Sequence, residues 1–279
     1  MRTLAFDGRM GASGDMLLGA LLAAGADRSA LSPVEDALDV CYEVSTDSKR
    51  GISATSVDVV LAGTEAAEDH HDKRGDDHGT HAEGHGPHRS YADVVAIVEA
   101  MSLPPGVESD ARAIFEILGE AEAAVHGTDI DETHFHEVGA DDAIADVVGA
   151  CLLVDDLDPG RIVTTPLSAG GGEVEMSHGT YPVPAPAVVE IAGKAEWELQ
   201  GGPVERELLT PTGAAILAHF AEGVASLPAL EIETSGYGAG DHQFPDRPNV
   251  LRALLGSATT LQRDAITVLE TNLDDASPE

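Results

Sequence analysis

Positive charge is scarce in this sequence: 15 lysine and arginine residues stand against 50 aspartate and glutamate residues, for a formal net charge of −35. Nucleic acids and anionic membranes bind proteins through basic faces, so neither is an expected partner. The acidic residues are spread along the chain, and their mutual repulsion destabilises a compact fold at low salt. We therefore expect a protein from a halophile, working where the Debye length falls to roughly 3 Å at 1 M salt.

Aromatic residues, cysteines and long apolar runs are also few. Aromatics make up 4% of the chain, so the core must consist mainly of alanine, valine, leucine and isoleucine. Cys41 and Cys151 lack the spacing of a zinc ribbon or a disulfide scaffold, and their apolar surroundings predict buried thiols. No apolar run approaches the length of about 18 residues that a membrane span needs, and no leader-like segment follows Arg2. These absences favour a cytoplasmic location.

The hydrophobic pattern predicts an α/β fold, a mixed sheet with packed helices. Helices are predicted at 16–24, 33–38, 91–100, 109–125 and 141–153, and a further helix follows the segment 210–213 and ends at residue 220. Strands are predicted at 3–6, 40–45, 52–62, 161–165, 230–234, 250–254 and 266–270, with a long irregular stretch around 166–186. We divide the chain into an α/β segment at 1–62, a flexible loop at 63–89, a main α/β region at 90–265 and the start of a C-terminal domain at 266–279.

A glycine-rich turn links the first predicted strand to the first predicted helix. Gly11, Ser13 and Gly14 lie in it, and backbone N–H groups at a helix N-terminus bind anions that glycine lets approach closely. The turn is neither a P-loop nor a dinucleotide-binding fingerprint. An ordinary turn with Ser13 or Asp15 capping the helix is the alternative.

A second segment combines imidazoles with carboxylates. His134 and His136 are two residues apart, so both side chains face one site if the backbone is extended, and Glu137 follows. Asp142 and Asp146 are four apart and share a helix face. This donor set suits nickel, zinc, iron or copper better than magnesium, which predicts a metal or catalytic site. The alternative is loop histidines beside a halophilic acidic surface.

The segment 63–89 is rich in histidine and aspartate and has almost no large apolar residue, so we expect it to be disordered. Clustered imidazoles bind nickel and copper at many loosely equivalent sites, which favours metal capture over catalysis. A polar linker is the alternative. The histidines concerned are His70, His71, His78, His81, His85 and His88.

Two further loops are candidates. Gly171 and Gly172 belong to a glycine run that could cradle a phosphate, and His178 is a candidate ligand or base. Thr212 stands at the entry of a predicted helix, where it could cap the helix or donate to a phosphate, and capping is the simpler role.

Together these segments resemble the LarC nickel insertion family, with six motifs in the family's order over most of the chain. The motifs are FDGRMGASGDMLLGAL from Phe6, HFHEVGADDAIADVVGA from His134, PLSAGGGEVEMSHGTYPVPAPA from Pro166, ELLTPTGAAILA from Glu207, GYGAGDHQFPDRPNVLR from Gly236 and ETNLDDASPE from Glu270. The histidine-rich insertion also lies where the family often has one. With the acidic composition, the resemblance indicates the N-terminal portion of a haloarchaeal member.

The resemblance implies a nickel chelatase, a lyase-type enzyme that inserts nickel into pyridinium-3,5-bisthiocarboxylic acid mononucleotide. The product would be the nickel-pincer nucleotide used by lactate racemase and related enzymes. The family reaction depends on CTP and a divalent metal such as manganese. Full-length members continue into a C-terminal domain associated with CTP, so a further domain or second chain is an expected partner, and a homo-oligomer is possible.

The resemblance also suggests roles for the candidate residues. His134, His136 and nearby carboxylates would hold nickel, Glu137 would orient an imidazole, and a carboxylate or His178 would accept the proton released from the pyridinium carbon. The glycine turns would hold the nucleotide phosphate. Two other functions stay open: a non-enzymatic nickel store or chaperone that relies on the histidine-rich loop, and a metal-dependent hydrolase that uses a metal-bound water at the His134 segment.

Overall fold

The structure, a computed structural model, describes residues 1–61, 89–135, 138–176 and 179–258. The predicted sites at His136, Glu137 and His178 lie outside these residues. So do the six histidines of the predicted loop and the predicted strand at 266–270.

The strands form a mixed sheet and three small two-stranded pairs. They are β1 (Arg2–Asp7), β2 (Val40–Lys49), β3 (Ile52–Leu61), β4 (Arg89–Ser90), β5 (His134–Phe135), β6 (Arg161–Thr164), β7 (Leu167–Ser168), β8 (Glu173–Met176), β9 (Gly179–Pro182), β10 (Leu199–Gln200), β11 (Glu222–Gly223), β12 (Leu230–Ala239) and β13 (Val250–Ala258). The main sheet has seven strands in the order β11-β6-β1-β13-β12-β3-β2. Strands β1, β6 and β11 are parallel, and β13 is antiparallel to both β1 and β12, so the sheet is mixed, as predicted.

Helices cover one face of this sheet. They are α1 (Gly14–Ala23), α2 (Ser32–Leu38), α3 (Tyr91–Ala100), α4 (Pro105–His126), α5 (Asp141–Leu157), α6 (Pro186–Ala192) and α7 (Pro211–Phe220). Helix α1 packs on β12 and β3, and α5 packs on α1. Among the described helices, none is long and apolar enough to cross a membrane.

The local sequence explains where the helices begin and end. Helix α3 starts with a reciprocal capping box between Ser90 and Asp93, which satisfies two backbone donors. Helix α4 ends at Gly127, whose φ of 67° is the left-handed conformation that glycine adopts without strain. The apolar residues predicted along one side of α4 are mostly buried: Ile114, Leu118 and Ala121 are almost inaccessible to solvent, whereas Val125 near its end is exposed.

Side-chain alternation along the central strand separates two environments. Leu4 and Phe6 belong to the large core under the helices, whereas Ala5 belongs to a small cluster with Val163 and Leu254. Successive side chains of a strand point to opposite faces, so Asp7 lies on the same face as Ala5, away from the helices. Residues at the carboxyl end of β1 therefore place side chains on both faces of the sheet.

Two of our predictions are wrong. The stretch predicted as irregular contains the β8–β9 hairpin, and helix α6, which was not predicted, begins at its end. Cys41 is exposed although Cys151 is buried as predicted. The reason is that β2 is an edge strand in which Val40 and Tyr42 point inward, so the residue between them points outward.

Candidate functional site

An acidic cleft lies between helices α1 and α5 and strand β3. It is a cavity of about 60 Å³ whose polar lining consists entirely of aspartates, with Val57 and Val59 completing the wall. The aspartates are Asp15, Asp58, Asp142, Asp146 and Asp241. They come from four separate parts of the chain, namely α1, β3, α5 and the segment after β12, so only the folded protein brings them together.

Helix α5 supplies Asp142 and Asp146, which line one cavity as their spacing of four residues predicts. Asp141 has a different role. Its carboxylate forms a 2.7 Å ion pair with Arg89, and the Arg89 guanidinium also donates a 2.8 Å hydrogen bond to the carbonyl of Gly139. Asp141 therefore anchors the segment before the helix to strand β4.

Asp146 is held against the start of helix α1. A methyl group built on Gly14 would stand 2.0 Å from the Asp146 carboxylate and 2.6 Å from its Cβ, so only glycine fits this approach. On the other side lies the buried ring of Tyr42, whose hydroxyl donates a 2.7 Å hydrogen bond to the carbonyl of Ala145. Burial, and then the negative charge of Asp146, raises the pKa of Tyr42, so this hydroxyl stays neutral.

A second cavity of about 160 Å³ shares Asp15 and Asp241 with the acidic cleft. Ser13, Glu207 and His242 are among its other lining residues. Ser13 is the N-cap residue of α1, but its side chain makes no capping hydrogen bond and its hydroxyl donates to Asp15 instead. The alternative that Ser13 caps the helix is therefore wrong.

The predicted phosphate-binding glycines all lie against the protein's own chain. Gly11, at a φ of 72°, would place a Cβ 1.9 Å from the carbonyl oxygen of Leu208, and Gly172 lies close to the backbone of Glu205. Gly171 would place a Cβ 3.3 Å from the carboxylate of Glu205. Close chain packing thus accounts for these glycines, and phosphate binding by them stays a prediction.

The N-cap of helix α7 lies two residues earlier in the chain than predicted. The hydroxyl of Thr210 accepts the hydrogen bond from the backbone N–H of Gly213, and Thr212 is buried inside the first turn. Of the two roles predicted for Thr212, capping is wrong, because Pro211 begins the helix and Thr210 is the N-cap residue, and donation to a phosphate stays a prediction.

His134 is exposed and lies in the short strand β5, opposite Ser90 of β4. It does not line the acidic cleft. Its neighbour Phe135 is fully buried and meets Tyr91 edge-on, which makes it the packing anchor of this segment. Within the described ranges, no three histidine, cysteine, aspartate or glutamate side chains are arranged to hold a metal ion.

A cationic pocket lies on the other face of the sheet, at the same end of β1. Asp7 is buried and accepts hydrogen bonds of 2.8 and 2.6 Å from the Arg9 guanidinium and one of 2.5 Å from Arg252. Burial opposes ionisation of Asp7, but the hydrogen bond from Arg9 and the charges of both arginines outweigh it and lower the pKa of this carboxyl. Arg247 and Tyr237 complete a cavity of about 290 Å³. A neighbouring cavity of about 480 Å³ shares Asp7 and Arg9.

Our sequence reasoning missed most of these lining residues. Asp15 and Asp241 were visible in the motifs as acids that follow a glycine near a strand end, and Arg9 stands in the first glycine-rich turn. Nothing in the sequence indicated that Asp58 belongs to the site, because the alternating pattern of its strand predicts a solvent-facing side chain at this position. Only the pairing of β3 with the rest of the sheet places it near the other aspartates.

Comparisons with known proteins agree on one family. The family model for "Nickel insertion protein" matches residues 4–279. Proteins described as "Putative nickel insertion protein" from Methanococcoides burtonii, Methanosarcina acetivorans and Syntrophotalea carbinolica are each 42% identical to the whole of this chain. The chain spans 65% of the first of these relatives and 66% of the other two. No solved structure matches the chain.

Proposed function

Because the chain belongs to the nickel insertion protein family, we propose that it inserts nickel into pyridinium-3,5-bisthiocarboxylic acid mononucleotide, as the LarC resemblance implies. The observation that carries the proposal is the acidic cleft beside helix α5. Its aspartates face one cavity, and in the sequence His134 and His136 precede the same helix by a few residues. Carboxylates and imidazoles together suit a borderline divalent ion that must be held and then released.

The carboxylates of the cleft would attract and hold hydrated Ni²⁺ loosely. Oxygen donors are a poorer match for nickel than the sulfurs of the dithio nucleotide, so transfer to the substrate is downhill. Formation of the nickel–carbon bond breaks a C–H bond of the pyridinium ring, and the released proton needs an acceptor. Asp15, Asp142, Asp146 or His178 would take that proton, while the two sulfurs and the carbon take the metal.

We assign two further parts of the reaction to regions that the structure does not describe. The histidine-rich segment 63–89 would gather nickel for the cleft. CTP and a divalent ion such as manganese would bind to a part that the relatives of this protein contain and this chain does not span. That part would be supplied by a further domain or by a second chain. About a third of the length of the first relative lies outside the match with this chain, which supports the expectation of such a partner.

The test is nickel insertion by the purified protein in high salt, with the dithio mononucleotide, Ni²⁺, CTP and Mn²⁺, with and without the C-terminal part of a relative. Asp142→Asn should lower the yield of nickel-pincer product at least tenfold while the circular dichroism spectrum stays unchanged. Asp131→Asn is the matched control, since Asp131 is exposed and outside the cleft.

Two outcomes would contradict the proposal. If Asp142→Asn and Asp131→Asn give equal yields, the acidic cleft is not the insertion site. If the protein binds several nickel ions but makes no product even with the C-terminal part supplied, a nickel store is the better description.

A further inference from the structure

We propose that the cationic pocket of Asp7, Arg9, Arg247 and Arg252 binds the phosphate group of a nucleotide. We identify this nucleotide as the pyridinium substrate only on the basis of the proposed function. The inference that a phosphate binds here depends on the residues of the pocket alone. The pocket is separate from the acidic cleft, since it lies on the face of the sheet opposite the helices.

The concentration of arginine is the first argument. The chain has only 15 lysine and arginine residues and a net charge of −35, yet three arginines line this one cavity. Asp7 offsets one of these charges, which leaves a local excess of positive charge in an otherwise acidic protein. An anion is the ligand that such an excess favours.

The second argument is that the arginines are not saturated by protein partners. Arg247 is exposed and, in contrast to most lysines and arginines of the described ranges, forms no ion pair or hydrogen bond with a described residue. The buried Nε of Arg252 also has no hydrogen-bond partner there. A buried donor without an acceptor is costly, and an anionic oxygen would remove that cost.

The third argument is the arrangement of the donors. Arg252 pairs across the sheet with Asp7 on β1 and with Tyr237 on β12, so these three side chains share one face. Arg9 is held by two hydrogen bonds to the Asp7 carboxylate, which leaves its remaining N–H groups to donate elsewhere. Planar guanidinium groups fixed in this way match phosphate by paired hydrogen bonds. Asp7 is therefore a positioning residue.

The size of the pocket agrees with such a ligand. Its volume of about 290 Å³ lies near the lower end of small-molecule sites, and the neighbouring cavity of about 480 Å³ begins on the other side of the Asp7–Arg9 pair. A phosphate between Arg9 and Arg247 would leave room for the rest of a nucleotide.

The test measures binding without nickel or turnover. Nicotinate mononucleotide, which carries a pyridinium ring and one phosphate, is titrated calorimetrically into the full chain at 1 M KCl, beside nicotinate riboside, CTP and inorganic phosphate. We expect one saturable site for the mononucleotide and no binding of the riboside. Arg247→Gln and Arg9→Gln should each weaken binding about tenfold. Arg247→Gln should change the melting temperature little, because Arg247 is exposed, whereas Arg9→Gln should also lower it, because it removes two hydrogen bonds from buried Asp7.

Arg112→Gln is the matched control, because it removes one exposed positive charge from helix α4 on the helical side of the molecule. It should change the affinity less than twofold. If CTP binds with the same arginine dependence and the mononucleotide does not, the phosphate subsite stands but serves CTP. Equal binding of riboside and mononucleotide, or equal affinities of all three variants, would overturn the inference.

This experiment separates the inference from the proposed function. Arginine-dependent phosphate binding without any nickel product would remove only the proposed function. Nickel insertion that proceeds normally in Arg247→Gln, with unchanged affinity for the mononucleotide, would remove only the phosphate site.

Discussion

The contact between Gly14 and Asp146 predicts how Gly14→Ala changes the free energy of unfolding, to which side-chain packing and backbone entropy contribute with opposite signs. In Gly14→Ala the new methyl group would lie 2.0 Å from the carboxylate oxygen, 2.5 Å from Cγ and 2.6 Å from Cβ of Asp146. Rotating the Asp146 side chain moves the carboxylate but leaves Cβ in place. Helices α1 and α5 must therefore shift apart, and overpacking of this kind costs about 1–3 kcal/mol.

The opposing effect is the backbone. Gly14 is the first residue of helix α1 and does not have a positive φ, so alanine suits its conformation. Replacing glycine by alanine at a compatible position stabilises a protein by about 0.4–1 kcal/mol through the unfolded state. The packing cost is larger, so we expect a net loss of about 1–2 kcal/mol.

A loss of this size should lower the melting temperature by roughly 2–8 °C in a protein of this length. The assay is thermal unfolding followed by circular dichroism at fixed KCl. Gly106→Ala is the matched control, because Gly106 also stands in the first turn of a helix and a methyl group there meets nothing within 4 Å. We expect the control to melt at or slightly above the wild-type temperature. If Gly14→Ala melts as high as Gly106→Ala, then the packing argument fails and Asp146 is not fixed by this contact.

The remaining predictions concern charge and the residues proposed to handle nickel. Because the charge of −35 is distributed along the chain, the melting temperature should rise between about 0.1 and 2 M KCl, and a flat or falling profile would refute a halophilic adaptation. The pKa of Asp7 is lower in the folded state than in the unfolded state, so its contribution to stability is present above the unfolded pKa and is lost as the pH falls through the folded pKa. Asp7→Asn should therefore make the free energy of unfolding depend less on pH below about pH 4. An unchanged pH dependence in that range would exclude this contribution. His136→Ala should abolish nickel insertion in the assay with the C-terminal part while barely changing the melting temperature, since a loop histidine leaves no core cavity; wild-type turnover would remove it from the site. The protein should bind more than one Ni²⁺ at neutral pH and release it near pH 5, because protonated imidazole is not a ligand, and calorimetry that shows a single site unaffected by deleting 63–89 would contradict this.

The described α-helices other than α6, and the first strand, were predictable because their signals are local. The stripe on α4, the start of α5 at Asp141 and the extent of α3 follow from helical spacing and capping residues that lie within a few positions of each other. The hairpin of β8 and β9 was not predictable, because glycines and prolines in that stretch suggested an irregular loop. Its pairing depends on residues that gain their partners only in the fold.

The candidate site was predictable only where its residues share one element. Asp142 and Asp146 follow from helical spacing alone. Asp241 reaches the same cavity because β12 ends beside the start of α1, and that neighbourhood depends on strand order. The contact of Arg252 with Asp7 joins residues 245 positions apart in the chain, so no local pattern indicates it.

The two pockets lie on opposite faces of the sheet, one lined by residues at the end of β1 and the other by a residue at the start of α1. Asp7 and Arg9 face the side away from the helices, whereas Asp15 lies in the first turn of helix α1 on the other side. The net charge of the protein repels an anionic nucleotide at long range, but at 1 M salt the Debye length is roughly 3 Å and only direct contacts count. Under the proposals made above, the arginines would fix the phosphate and the aspartates would hold the cation. A phosphate placed in the cleft would face five carboxylates, so the charges of the two pockets favour the arginine side for the phosphate.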